Sequence, residues 1–150
     1  MRDTLPSVES TTRVDGPAPS RDRAGRVALL VTGDVLCFVL FAALGRHNHG
    51  ESSGVASVLW TAVPFAAAWL LVAPWLGAYR RANTSGAPQR VFARTELAWL
   101  AAYPLALVLR WALAADHLMP VSFAVVILIV NAALLGVWRT ALALIGMGRR

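Results

Sequence analysis

The 150-residue chain has no lysine, one cysteine and eight acidic residues, and charged side chains of every kind make up 15% of it. An ordinary soluble domain carries about 25% charged residues, so there is too little charge here to clothe a water-facing surface. The single cysteine, Cys37, excludes an intramolecular disulfide and reads as a small apolar packing residue. No HExxH helix or Gly-rich phosphate loop occurs, and Ser52, Ser53 and Ser57 near His49 lack the strand-turn-helix setting of a hydrolase nucleophile. What fills the chain instead is apolar: 57% hydrophobic residues and a mean hydropathy of +0.58. Such an excess needs an apolar solvent, and the length points to a single domain.

The apolar residues fall into four blocks. Residues 1–26 are rich in Pro, Ser, Thr and mixed charge and have little to bury, so a flexible, disordered N-terminal tail is expected there. The spans are expected at about 27–44, 55–79, 91–114 and 121–145, lengths that suit a bilayer needing roughly 20 apolar residues per crossing. The expected fold class is all-α, an integral membrane four-helix up-and-down bundle with its transmembrane domain over 27–147. Transmembrane strands are excluded by the lack of alternating polarity. A soluble bundle is excluded because the second block shows no polar face. Pro64, Pro74 and Pro104 lie inside spans and are expected to kink them.

All fourteen basic residues are Arg, and they sort by side. Five lie in the tail, four between Arg80 and Arg94, and Arg139, Arg149 and Arg150 are taken to follow the last span, twelve in all; Arg46 and Arg110 alone fall on the opposite face. Basic residues stay inside, so both termini are expected to be cytoplasmic, in a bacterial plasma membrane. A pI of 11.2 would otherwise suggest nucleic acid, but arginines dispersed as topology signals make no reading surface, and no nucleic-acid partner is expected. The bilayer is the expected partner, self-association into homo-oligomers is open to such a bundle through small residues such as Gly33, Ala42, Ala43 and Gly45, and no small-molecule or ion ligand is specified. Trp75, Tyr79, Trp99 and Trp138 are expected near the inner interface and Trp60 and Trp111 near the outer one, with Trp69 as mid-span packing.

Few polar residues remain. Asp34 lies seven residues into the first span, where a carboxylate costs on the order of 2.5–3.5 kcal/mol on insertion scales. It must face protein or water, and desolvation opens the alternative of a protonated carrier. Asn131, eight residues before Arg139, lies at a similar depth, so a hydrogen bond between Asp34 and Asn131 is expected. Outside the membrane, Arg46 and Arg110 are candidates to share an anion, with Glu51, Asp116 or a lipid phosphate as acceptors for the fork of Arg110. His49 and Glu51, with His47, form the densest polar cluster; as metal ligands their spacing is not a zinc signature. No catalytic residue, metal or cofactor is expected, and the leading reading is a non-enzymatic membrane protein. The alternatives are a proton- or anion-linked transporter or channel subunit using Asp34 with Arg46 and Arg110, and a membrane-embedded metalloenzyme at His47, His49 and Glu51.

Asp34 within the first span, LGRHNHGE after it, LRWAL around Arg110, PVSF opening the fourth span and LLGVWR ending at Arg139 together resemble the small bacterial and archaeal membrane proteins grouped as domain of unknown function 3054. The likeness runs from about Arg26 to Thr140 and leaves the tail outside. It implies a four-helix membrane architecture and no particular chemistry. Gly45, Arg46 and His49 carry over as family-like, whereas His47 does not.

Overall fold

The computed structural model describes residues 20–48, 54–80, 86–113 and 120–147. Within them the chain forms four helices, α1 (Ser20–Asn48), α2 (Val55–Val72), α3 (Pro88–Leu113) and α4 (Val121–Met147), and no strand. Each helix is long and apolar enough to cross a membrane. Successive helices pack side by side, and α4 returns to α1, closing a four-membered ring with antiparallel neighbours.

α1 runs on to Asn48, four residues past its hydropathy block and through Arg46 and His47, and α3 opens three residues early at Pro88; three further boundary differences have a local reason. α1 starts at Ser20, so residues 20–26 of the expected tail are helical. Once an apolar span has nucleated a helix, adding a turn of soluble residues to its end is cheap. α4 runs to Met147, carrying Arg139 well inside the helix rather than at its boundary. α2 stops at Val72, seven residues short of the expected end at Tyr79. Beyond it, the Ala78 amide donates to the Ala73 carbonyl at 2.9 Å and the Gly77 amide to the Pro74 carbonyl at 3.0 Å. This is the paired bonding of a Schellman cap, and Gly77 takes the left-handed position with φ of 71° that a side chain would disfavour. Pro64 and Pro104 sit inside α2 and α3, while Pro74 falls in this turn instead of within a helix.

The outer surface is the reverse of a soluble bundle's. Leu36, Leu71, Leu97, Ile129 and Val137 are among many large aliphatics more than half exposed, while Asp34, Thr95, Asn131 and Arg139 are buried within an otherwise apolar core. A surface so apolar matches hydrocarbon, and the bundle interior, away from lipid, is where intramembrane charge belongs. Inside, Leu30, Asp34, Phe38, Phe41 and Ala42 mark the inward face of α1 at helical period. Ala98, Ala102 and Ala106, four apart on α3, give a ridge of small residues that lets α3 approach its neighbours closely. Phe38 packs its ring against Trp69 at 6.4 Å and Trp99 at 5.5 Å, and Phe41 meets Phe65 edge-on at 5.6 Å. Trp99 is fully buried and donates to the Leu128 carbonyl at 3.0 Å, tying α3 to α4. It is therefore a core residue and not the interfacial anchor expected.

Close helix contact depends on two glycines. A Cβ on Gly33 would stand 2.0 Å from the Trp138 ring, and one on Gly136 would stand 2.5 Å from Phe92 and 2.6 Å from Glu96. Gly33, together with the buried Ala42, is thus consumed by packing within the bundle. Gly45 differs, because an added Cβ there would meet nothing within 4 Å among the described residues.

Candidate functional site: a buried ion pair and an arginine-lined cavity

Asp34, at the middle of α1, is fully buried, and its partner is Arg139 of α4, itself 2% exposed. The guanidinium engages the carboxylate in a two-pronged fork, Nε to Oδ1 at 2.8 Å and Nη2 to Oδ2 at 2.5 Å. Two more donors converge on Oδ2: the Trp69 indole Nε1–H from α2 and the Tyr79 hydroxyl, both at 2.9 Å. The remaining guanidinium nitrogen, Nη1, donates to the Ala78 carbonyl at 2.8 Å. The cation also lies over the ring of Tyr79, 4.9 Å from its centroid, and 5.7 Å from that of Trp69.

The Schellman turn positions half of this arrangement. By ending α2 early it turns Ala78 and Tyr79 back toward the bundle, so one backbone carbonyl meets the cation and one hydroxyl meets the anion. Buried charges persist only when paired and fully hydrogen-bonded, and this pair meets both conditions. All four contacts to Asp34 are donated to it, which suits an ionised carboxylate, since a proton on either oxygen would displace a donor. The cluster links α1, the end of α2 and α4 with no water-filled path needed to satisfy it.

The expected hydrogen bond between Asp34 and Asn131 does not form. Asn131 is buried on α4, but its Nδ2 donates to the Ile127 carbonyl of its own helix at 2.9 Å and its Oδ1 has no partner among the described residues. The levels explain the difference: α4 continues eight residues past Arg139, placing Arg139 beside Asp34 and Asn131 about 12 Å farther along the helix at 1.5 Å per residue. Arg139, Trp69 and Tyr79 are thus site residues that sequence reasoning treated as a topology charge, a packing ring and an interfacial anchor. A usable signal existed. The residues after Arg139 read TALALIGM, apolar enough to extend the span, and a lone intramembrane Asp calls for a countercharge.

Arg46 and Arg110, 64 positions apart in sequence, line one cavity of about 460 Å³ at the end of the bundle where α1 finishes and α4 begins. Asn48, Thr61 and Ser122 add polar groups, and Phe41, Ala42, Gly45, Phe123 and Val126 supply an apolar wall. Arg46 donates from Nη1 to the Thr61 hydroxyl at 3.4 Å, which orients it along α2. Arg110 has no hydrogen-bond or ion-pair partner among the described residues. Arg46 and Arg110 are both half-buried, so the positive charge stands in a site only partly screened by water. His47 is exposed at the end of α1, while His49, Glu51 and Asp116 lie outside the described residues. Among the described residues no group of three His, Cys, Asp or Glu side chains comes together.

Cavity and ion pair are separate. Between Asp34 and the cavity wall at Phe41 lie buried rings: Trp69, itself bonded to Asp34, then Phe38 and Trp99, with Phe65 against Phe41. Glu96, on α3, keeps one carboxylate oxygen buried beside Gly136 with no hydrogen-bond partner among the described residues.

No curated protein and no solved structure matches the chain. A family model described as a protein of unknown function, DUF3054, matches residues 31–142. That stretch contains Asp34, Trp69, Tyr79 and Arg139 as well as Arg46 and Arg110. Covering about three quarters of the sequence, the match shows that the chain belongs to the DUF3054 family.

Proposed function

We propose that this chain is a non-enzymatic, multi-pass protein of the bacterial plasma membrane that binds a small anion in the cavity between Arg46 and Arg110. The observation that carries the reading is the convergence of these two arginines from α1 and α3, with Asn48, Thr61 and Ser122, on one cavity. Guanidinium forks in a partly desolvated pocket are suited to carboxylate or phosphate. The volume also falls in the usual range for small-molecule sites, about 300–1,000 Å³.

Orientation rests on the arginines. With Arg139 neutralised inside the bundle, the topology count becomes eleven Arg on the terminal side against two, which still favours cytoplasmic termini. The cavity then faces outward. Transport coupled to Asp34 is a weaker reading, because Asp34 would have to release four donors and the aromatic layer would have to open. Binding requires neither. Self-association would use lipid-facing residues other than Gly33 and Ala42.

The test is thermal unfolding of detergent-purified protein against a panel of organic and inorganic anions. An occupant raises the apparent stability in proportion to the logarithm of its concentration above Kd. The expected result is a rise for at least one carboxylate or phosphate that vanishes in Arg110→Gln and weakens in Arg46→Gln. A panel that leaves the wild type unmoved, or moves all three proteins equally, overturns the proposal.

A further inference from the structure

Resting on that reading, we infer that the occupant of the Arg46–Arg110 cavity is an amphiphilic phosphomonoester, its headgroup held by the two arginines and its hydrocarbon part lying against Phe41, Phe123 and Val126. The cavity is chemically two-sided. Two guanidiniums, the Asn48 amide and the Ser122 hydroxyl gather on the polar side, while Thr61, whose proton goes to the Ser57 carbonyl at 2.9 Å, accepts from Arg46 and orients it. Two guanidinium forks with these further donors exceed what the two oxygens of a carboxylate can use and better match a phosphate with three terminal oxygens. The other side is aromatic and aliphatic, and a free inorganic anion would leave it unfilled.

Gly45 lies between the two halves. No atom of the described residues stands within 4 Å of where its Cβ would be, and the residue lines the cavity one position before Arg46. The absent side chain thus leaves space beside the headgroup position, continuous with the apolar wall. Val126 is 48% exposed, so the wall reaches the lipid-facing surface of α4 and a hydrocarbon chain is able to enter or leave from the side. Both a lipid headgroup and a soluble phosphomonoester with an alkyl part present this chemistry.

The experiment uses the full chain in phosphatidylcholine nanodiscs, with inorganic phosphate and hexyl phosphate as probes and unfolding temperature as the readout. Hexyl phosphate should act at a concentration at least about tenfold lower than inorganic phosphate, since burial of two methylenes alone accounts for that factor. In Gly45→Leu the advantage of the alkyl probe should disappear while the weaker response to inorganic phosphate persists, and in Arg110→Gln both responses should be lost. Equal potency of the two probes in the wild type overturns the amphiphile and leaves anion binding standing. No response to either probe, or responses unchanged in Arg110→Gln, overturns phosphate as the headgroup; the carboxylates of the wider panel then decide whether anion binding itself survives. Discs containing phosphatidic acid separate the two sources. If they raise the unfolding temperature unaided and abolish the hexyl phosphate response, the occupant is a lipid; an undiminished response assigns a soluble phosphomonoester.

Discussion

Removing either member of the Asp34–Arg139 pair should be far more damaging than removing both. Asp34→Leu leaves the Arg139 guanidinium buried with only the Ala78 carbonyl and two ring faces for company. Arg139→Met leaves the carboxylate with Trp69 and Tyr79 as its donors but no countercharge. Breaking a buried pair from one side costs about 3–5 kcal/mol, because the surviving charge keeps its desolvation penalty. In the double variant no charge remains. Trp69 still donates to the Tyr79 hydroxyl at 3.1 Å, so the orphaned groups reduce to the Tyr79 proton and the Ala78 carbonyl, at about 1–3 kcal/mol together. Two single losses sum to at least about 6 kcal/mol, against about 3 or less for the double, giving a coupling of about 3 kcal/mol or more. Reversible unfolding in bicelles, followed by tryptophan fluorescence across the four-protein cycle, measures it. The exchanged pair Asp34→Arg with Arg139→Asp should fail to recover stability, since Trp69 and Tyr79 would then point donors at a cation. Single losses that add to the double within about 0.5 kcal/mol would refute the reasoning, and so would full recovery by the exchanged pair.

Three further outcomes follow from the same contacts. Gly33→Ala should destabilise strongly, because Trp138 must move by more than 1 Å to clear the new methyl group, whereas Gly45→Ala, meeting nothing, should stabilise α1 by up to about 1 kcal/mol; comparable effects in the same unfolding assay would contradict this. Gly77→Ala should cost about 1–2 kcal/mol, the penalty of placing a Cβ in the left-handed region, and should loosen Tyr79, seen as faster proteolytic cleavage after Tyr79 or Arg80. Trp69→Phe keeps the ring and deletes the bond to Asp34, so a loss of about 1.5–3 kcal/mol is expected, the range for a hydrogen bond to a charged group; a variant as stable as the wild type would remove Trp69 from the cluster.

The sequence was informative where a property accumulates over many residues and uninformative where it depends on where one helix ends. Apolar blocks of 18 or more residues named four helices long and apolar enough to span a membrane. Arg46 and Arg110 both lie next to loops on one face, a relation that topology alone preserves, and both line one cavity. The partner of Asp34 was missed because depth was measured from boundaries set by charge. Taking Arg139 as the edge of the last span moved Asn131 to the level of Asp34, an error of eight residues or about 12 Å. Tyr79 was missed for a related reason: the early stop of α2 depends on the left-handed conformation of Gly77, which hydropathy does not register.

The two sites divide the bundle by what each can tolerate. Each nitrogen of Arg139 and each carboxylate oxygen of Asp34 has at least one partner, and the charges cancel, so displacing either charged group exposes an uncompensated charge to apolar surroundings. That end resists motion. At the other end two guanidiniums face one cavity, and an anion held between them is drawn by both charges. Between them Phe38, Trp69, Trp99 and Phe65 are fully buried, with Phe38 packed on both tryptophans and Phe65 on Phe41, and rings packed this closely have few alternative arrangements to move into. Occupancy of the cavity should therefore order the ends of α1 and α4 while leaving the Asp34–Arg139 geometry unchanged, which is the behaviour of a binding site mounted on a rigid frame and not of a coupled carrier.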